Sequence, residues 1–153
     1  MILLAHMLFG AAIGALLASN PILAITLAFL GHYFLDAFPH IEYSIDNIRH
    51  KIWGKALPDI SKVILDFALA IFCISLLSEN HPIIYICALV TLIPDALTII
   101  NDRFPNVLLG LHDHMHTRQI HYLTKQKNFP VFWKIFTQAV AIIASVALLV
   151  MFR

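Results

Sequence analysis

Imidazoles and carboxylates stand inside hydrophobic runs of this chain, at spacings that suit metal coordination. His32 and Asp36 lie in the apolar run that begins at Pro21, Asp66 in the run after Asp59, Asp95 in the run after Pro82, and His6 in the first run. A charged side chain at membrane depth costs about 2.5 kcal/mol or more, so such groups persist where they face a partner, a cavity or an ion. His32 and Asp36 are four residues apart, so a helix presents them from one face. His112 and His116 repeat that spacing. A divalent ion needs several N and O donors converging from different directions, which i, i+4 pairs on rigid helices supply. In apolar surroundings the cation also neutralises the carboxylates it gathers.

The metal-ligand candidates are therefore His6, His32, Asp36, Asp95, His112 and His116, with zinc the first choice of ion. Asp66 reads as a further ligand or as a carboxylate orienting a histidine. Asp66 or Asp113 reads as the general base for a water activated by the metal. Each group also has a plainer reading. His32 and Asp36 could simply hydrogen-bond, Asp66 could pair with Lys62 one turn away, and Asp95 could bond backbone groups freed by Pro94. His114 falls off the face shared by His112 and His116, and His50 and His81 read as loop residues.

Composition sets the frame. Of 153 residues, 60% are hydrophobic and only 12% charged, which is about half the charged share of a soluble domain. A net charge of +1 without a dense Lys/Arg patch excludes a nucleic-acid partner. Cys73 and Cys87 both lie in apolar runs and read as small buried hydrophobes. The expected architecture is an all-α integral membrane protein forming one domain. It has about five spans, over 2–18, 21–38, 59–77, 83–100 and 131–152, and one amphipathic interfacial helix over 107–122. On that helix Leu108, Leu111, Met115 and Leu123 would form the apolar side. Pro21 opens the second helix, Pro39 stops it, and Pro130 opens the last. The first run lacks a basic leader and a small-residue cleavage site, so it reads as a retained helix. Gly10 and Gly14 form a GxxxG pair suited to close helix contact, within the chain or between copies in a homo-oligomer.

Threading these spans places His6, His32, Asp36, Asp66, Asp95 and His112 to His116 towards one side. The same side holds Arg49, Lys51, Lys55, Arg103, Arg118, Lys125 and Lys127, whereas Arg153 falls on the other. The positive-inside rule makes that side cytoplasmic, with the N-terminus on it, in a membrane of the bacterial inner-membrane type.

The stretch Gly31-His32-Tyr33-Phe34-Leu35-Asp36-Ala37-Phe38-Pro39-His40 resembles the G-(S)-H-x-x-x-D-x-x-P-H element of small bacterial proteins described as membrane-bound metal-dependent hydrolases. Ala5-His6 with Gly10 resembles their opening H-x-x-x-G, Ile93-Pro94-Asp95 their L-P-D, and His112-x-x-x-His116-Thr117 their H-R-G-x-T-H-S without its arginine, glycine and serine. H-x-x-x-D is also, more weakly, similar to a pattern of zinc-dependent phospholipase C-type enzymes. The resemblance implies a hydrolase with a His/Asp metal site. Placement at the lipid boundary adds the expectation of a lipid or phosphoester substrate. Two other classes compete. A metal-ion or proton transporter would need a polar path to the far side, where only Thr26, Ser75 and Thr91 are on offer. A structural or haem-holding subunit would need apolar surroundings for its histidines, and carboxylates stand there instead.

Overall fold

The computed structural model describes residues 1–125 and 129–152, and among them every regular element is helical. The elements are α1 (Leu3–Leu16), α2 (Pro21–Asp36), α3 (Asp46–Arg49), α4 (Leu57–Leu77), α5 (Pro82–Val90), α6 (Ile93–Arg103), α7 (Val107–His114), α8 (Tyr122–Lys125) and α9 (Val131–Met151). A short 3₁₀ turn covers Trp53–Lys55 and a π turn covers Met115–Ile120. Lys127 and Arg153, counted in the charge asymmetry, lie outside the described residues, as does the side chain of Leu123.

Proline and asparagine punctuate the chain. Asn20 Oδ1 accepts from the Leu23 N–H (3.2 Å) with Pro21 in the first turn of α2, and Asn106 Oδ1 accepts from the Leu109 N–H (2.9 Å) at the start of α7. Pro94 removes the N–H that would bond the Val90 carbonyl, and there the chain bends by 43° between α5 and α6.

α1 is the central helix. It packs against α5, α9, α2 and α4, and its Ala5, Met7, Leu8, Ala11 and Ala12 are buried. Small residues let the neighbours approach, with Ala24, Ala28, Ala70 and Ala88 all fully buried on facing helices. Gly10 and Gly14 face α5 within the chain. A Cβ on Gly10 would lie 2.5 Å from the Cys87 carbonyl oxygen and 2.6 Å from Thr91 Cγ2. Gly10→Ala must therefore push α1 and α5 apart, and we expect it to destabilise the fold by about 1–3 kcal/mol. Thermal unfolding in detergent reads this. Gly54→Ala, with nothing within 4 Å of its Cβ, is the control.

The count of about five spans does not survive. Among the described residues, only α4 and α9 are individually long and apolar enough to cross a bilayer, and the bent pair α5–α6 adds a third if it crosses as one unit. α1 has 14 residues and α2 has 16, or about 21 and 24 Å of helix against a hydrocarbon core of about 30 Å. α1 is apolar all round because protein surrounds it. α4 and α9 instead leave Ile64, Leu65, Phe72, Ile135, Ile143 and Val150 exposed, the surface expected of helices that meet lipid. The interfacial helix over 107–122 is likewise not continuous, because the π turn interrupts it.

The loop between α2 and α4 carries residues that reach the site, and it is tied down at several points. Asp59 accepts from both the backbone and side-chain N–H groups of Asn47 (3.0 Å each). Arg49 bonds Asp102 at 3.1 Å, and Arg103 sits over the Trp53 ring at 4.6 Å. Lys62 pairs with Asp59 (3.4 Å) rather than with Asp66.

Candidate metal centre

Asp36, fully buried at the end of α2, is the hub of the molecule's polar interior. Its Oδ1 lies 3.1 Å from His6 Nε2 and 3.5 Å from His40 Nε2. Its Oδ2 lies 3.0 Å from His32 Nε2, 3.2 Å from His116 Nε2 and 2.9 Å from His121 Nε2. The Met1 amine is 2.9 Å from Oδ1. His32 Nε2 and His116 Nε2 are 3.0 Å apart, and His116 Nε2 and His121 Nε2 are 3.2 Å apart. Donor atoms about 3.0–3.5 Å from one another are the edges of a polyhedron whose metal–ligand bonds are about 2.1 Å.

The donors form two sets that share Asp36. One is His32, Asp36, Asp95 and His116; the other is Asp36, His40 and His121. Asp95 stands at the margin of the first, with Oδ1 3.7 Å from His32 Nε2 and 3.9 Å from His116 Nε2 and its side chain 47% exposed. Glu42 Oε1 borders the second, 2.8 Å from both His40 Nε2 and His121 Nδ1.

Proton placement decides what these atoms can do. His32 Nδ1 is 2.6 Å from the Thr91 carbonyl at the α5–α6 bend, and His40 Nδ1 is 2.8 Å from the Phe38 carbonyl. A carbonyl can only accept, so each ring carries its proton on Nδ1. In a neutral ring Nε2 is then a bare lone pair, and both lone pairs look at carboxylate oxygens. His116 follows suit, since its Nδ1 meets Thr98 Oγ1 (3.3 Å), whose own hydrogen is directed to the Pro94 carbonyl. Acceptor against acceptor is repulsive unless a proton or a cation lies between them. A backbone carbonyl that fixes Nδ1–H and leaves Nε2 free is the outer-shell arrangement of metal-ligating histidine. Both His6 ring nitrogens are buried without a hydrogen-bond partner, although Nε2 is close to Asp36, and the ring stacks on His32 at 4.2 Å between centroids.

His6, His32, Asp36 and His116 thus meet as the sequence suggests, with Asp95 beside them. Three other candidates go elsewhere. His112 Nε2 is 3.0 Å from the Tyr33 hydroxyl. Burial and the neighbouring His116 hold its ring below the usual imidazole range, so it accepts from Tyr33. Asp66 accepts the N–H groups of Leu3 (2.8 Å) and Leu4 (3.2 Å) at the start of α1. Asp113 accepts from Thr117 Oγ1 (3.0 Å).

Three residues not proposed as ligands join instead. His40 follows Asp36 by four residues, the spacing that singled out His32, but Pro39 ends the helix between them and obscures the pattern. His121 had no such signal. It follows His116 by five residues, which an α-helix would splay by about 140°. The π turn, closed by the His121 N–H to His116 carbonyl bond (3.2 Å), brings both rings to one point. Glu42 is exposed in sequence terms and becomes part of the site only through the fold of its loop.

His121 also sets a pH dependence. Burial lowers its pKa, but Asp36 and Glu42 outweigh burial and push it up to about 9. In the metal-free protein it is therefore protonated at pH 7, whereas a ligand must be neutral. Binding through His121 displaces a proton, so apparent affinity is expected to rise about tenfold per pH unit up to about pH 9. Calorimetry in two buffers of different ionisation enthalpy counts that proton; no release at pH 7 would place His121 outside the coordination sphere.

A cleft of about 240 Å³ opens beside the cluster. Glu42, Asp95, His116 and His121 line one part of it, Leu3, Val63 and Ile99 another, and Arg49 and Lys125 supply positive charge. No protein-family model matches the chain, and no curated protein or solved structure matches it, so the hydrolase resemblance rests on its motif residues alone; the structure itself establishes a buried His/Asp cluster able to coordinate a divalent metal ion.

Proposed function

We propose that this protein is a membrane-embedded, metal-dependent hydrolase that cleaves a phosphoester on a lipid-type substrate at the cytoplasmic face. One observation carries the reading: the Asp36 cluster lies against a cleft that combines metal-ligand nitrogens, two basic side chains and an apolar wall. His32, His116 and Asp36 would hold the ion, zinc in the first instance, as three protein ligands with a further position towards the cleft. Such an ion lowers the pKa of a water towards neutrality and polarises the phosphoryl oxygen. Arg49 and Lys125 bind the phosphate charge, and Leu3, Val63 and Ile99 receive the apolar chain. Asp95 Oδ1, close to the His32 and His116 nitrogens and half exposed to the cleft, takes the proton from the attacking water. Asp66 and Asp113, the earlier choices for that role, are engaged elsewhere and do not line the cleft. Transport is less well supported. Beyond the cluster, Met7, Leu8, Ala11 and Ala12 of α1 share one apolar core with Ile74, Cys87 and Ala88, with no polar continuation among them.

The test is release of p-nitrophenol from bis(p-nitrophenyl) phosphate, and of phosphate from a lipid phosphate in mixed micelles, by zinc- or manganese-loaded protein. We expect turnover, a fall of about 10²–10⁴ in kcat for Asp95→Asn with metal content unchanged, and loss of turnover for His116→Ala. Metal-loaded protein that turns over neither substrate overturns the reading.

A further inference from the structure

We infer that the site holds two divalent ions rather than one, with Asp36 as the bridging carboxylate and the second ion bound by His40, His121 and Glu42. The inference rests on the metal-centre reading above and extends it. Two observations carry it.

The first is the division of donors around Asp36. Its two oxygens do not face one common point: Oδ2 is the nearer to His32 and His116 and Oδ1 the nearer to His6 and His40, while His121 stands between the sets, its Nε2 2.9 Å from Oδ2 and its Nδ1 2.8 Å from Glu42 Oε1 on the His40 side. A single small cation cannot collect all of these nitrogens. A carboxylate presenting one oxygen to each of two ions can, and two-metal sites place their ions about 3.5–4 Å apart.

The second is the tautomer of His40. Its Nδ1–H is fixed on the Phe38 carbonyl, so in the neutral, metal-binding form of the ring its Nε2 lone pair is aimed at Glu42 Oε1 (2.8 Å) and Asp36 Oδ1 (3.5 Å). This repeats the His32 arrangement on the other side of Asp36, with an independent backbone carbonyl. His121 Nδ1 adds to it. It lies 2.8 Å from Glu42 Oε1 yet out of line for an N–H···O bond, and it is among the buried ring nitrogens without a hydrogen-bond partner. His40 is 1% exposed and His121 7%, so water does not relieve either. One ion in the first donor set would leave this second group of converging ligand atoms unused.

The experiment is zinc stoichiometry of the full chain in detergent, by elemental analysis after saturation and gel filtration, together with electron paramagnetic resonance of the manganese-loaded protein. Wild type is expected to hold two ions per chain and to give an exchange-coupled manganese spectrum. His40→Ala and Glu42→Gln are expected to hold one and to give an uncoupled spectrum. Glu42 is partly exposed on a loop, so its amide variant keeps the test open if His40→Ala does not fold. Saturation of the wild type at one ion, or two ions retained in a folded His40→Ala or Glu42→Gln protein, overturns the bridged pair while leaving the single-ion hydrolase standing. A wild type that binds none overturns both.

Discussion

Asp36→Asn is expected to leave the protein folded and to strip it of bound metal. The substitution keeps the volume of a side chain packed with no exposure, so the apolar packing around α1 is kept while the ion pair with the Met1 amine (2.9 Å) is lost. It replaces a carboxylate that stands within 3.5 Å of five imidazole nitrogens with a neutral amide. Loss of a group that only orients a ligand costs about 10–100-fold in metal affinity, and Asp36 stands directly against all five histidines of the cluster, so a loss of at least about a hundredfold follows. The effect is visible twice. Elemental analysis should find no stoichiometric zinc. Added zinc should also stop raising the melting temperature, whereas for the wild type a free concentration of 100 Kd stabilises by about 2.7 kcal/mol. Stoichiometric zinc in a folded Asp36→Asn protein would dismiss the cluster as a metal site.

Much of that cluster was legible in the sequence because its logic is local. His32 and Asp36 share a helix face by simple spacing, and hydrophobic context gives both a reason to be buried. Bringing His6 and Asp95 alongside required only that consecutive apolar helices alternate in direction. The His112–His116 pair illustrates where that logic stops. Their i, i+4 spacing is a property of an α-helix, and the chain changes to a π turn at Met115. The rings of His112 and His116 still stack (5.5 Å between centroids), but the His116 nitrogen meets His121 and Asp36 while the His112 nitrogen bonds Tyr33. Neither propensity nor periodicity announces a π turn, which is held by packing around it.

The overcount of spans has a different physical origin. A helix apolar on every side is suited equally to lipid and to the centre of a bundle. At 14 residues α1 is too short for the first role and, ringed by α2, α4, α5 and α9, it fills the second. Hydropathy alone could not separate the two, because the alanines and glycines that make α1 a good central helix score as they would in a membrane. Exposure does separate them, since α4 and α9 carry their large side chains outward.

Asp66 shows how a residue conspicuous in the sequence can serve the fold, and it gives the second large effect. Ile2 makes no side-chain cap for α1, and the first N–H groups of any helix lack partners within it. Asp66 on α4 supplies them from 63 residues away, with Oδ2 accepting from Leu3 and Oδ1 from Leu4. A carboxylate also suits the positive end of the helix dipole. Asp66→Ala leaves two partly buried N–H groups without partners at the start of the central helix, and hydrogen bonds to a charged group are worth about 1.5–3 kcal/mol each. We expect a loss of about 3 kcal/mol or more, faster amide exchange in the first turn of α1, and unchanged zinc stoichiometry, because Asp66 contacts none of the metal donors. Asp66→Asn, whose amide offers a single acceptor oxygen, should recover about half of the loss. The catalytic alternative predicts the opposite pattern. An Asp66→Ala protein of wild-type stability, loaded with metal and without turnover, would make this carboxylate a base and leave the start of α1 to be held by something else.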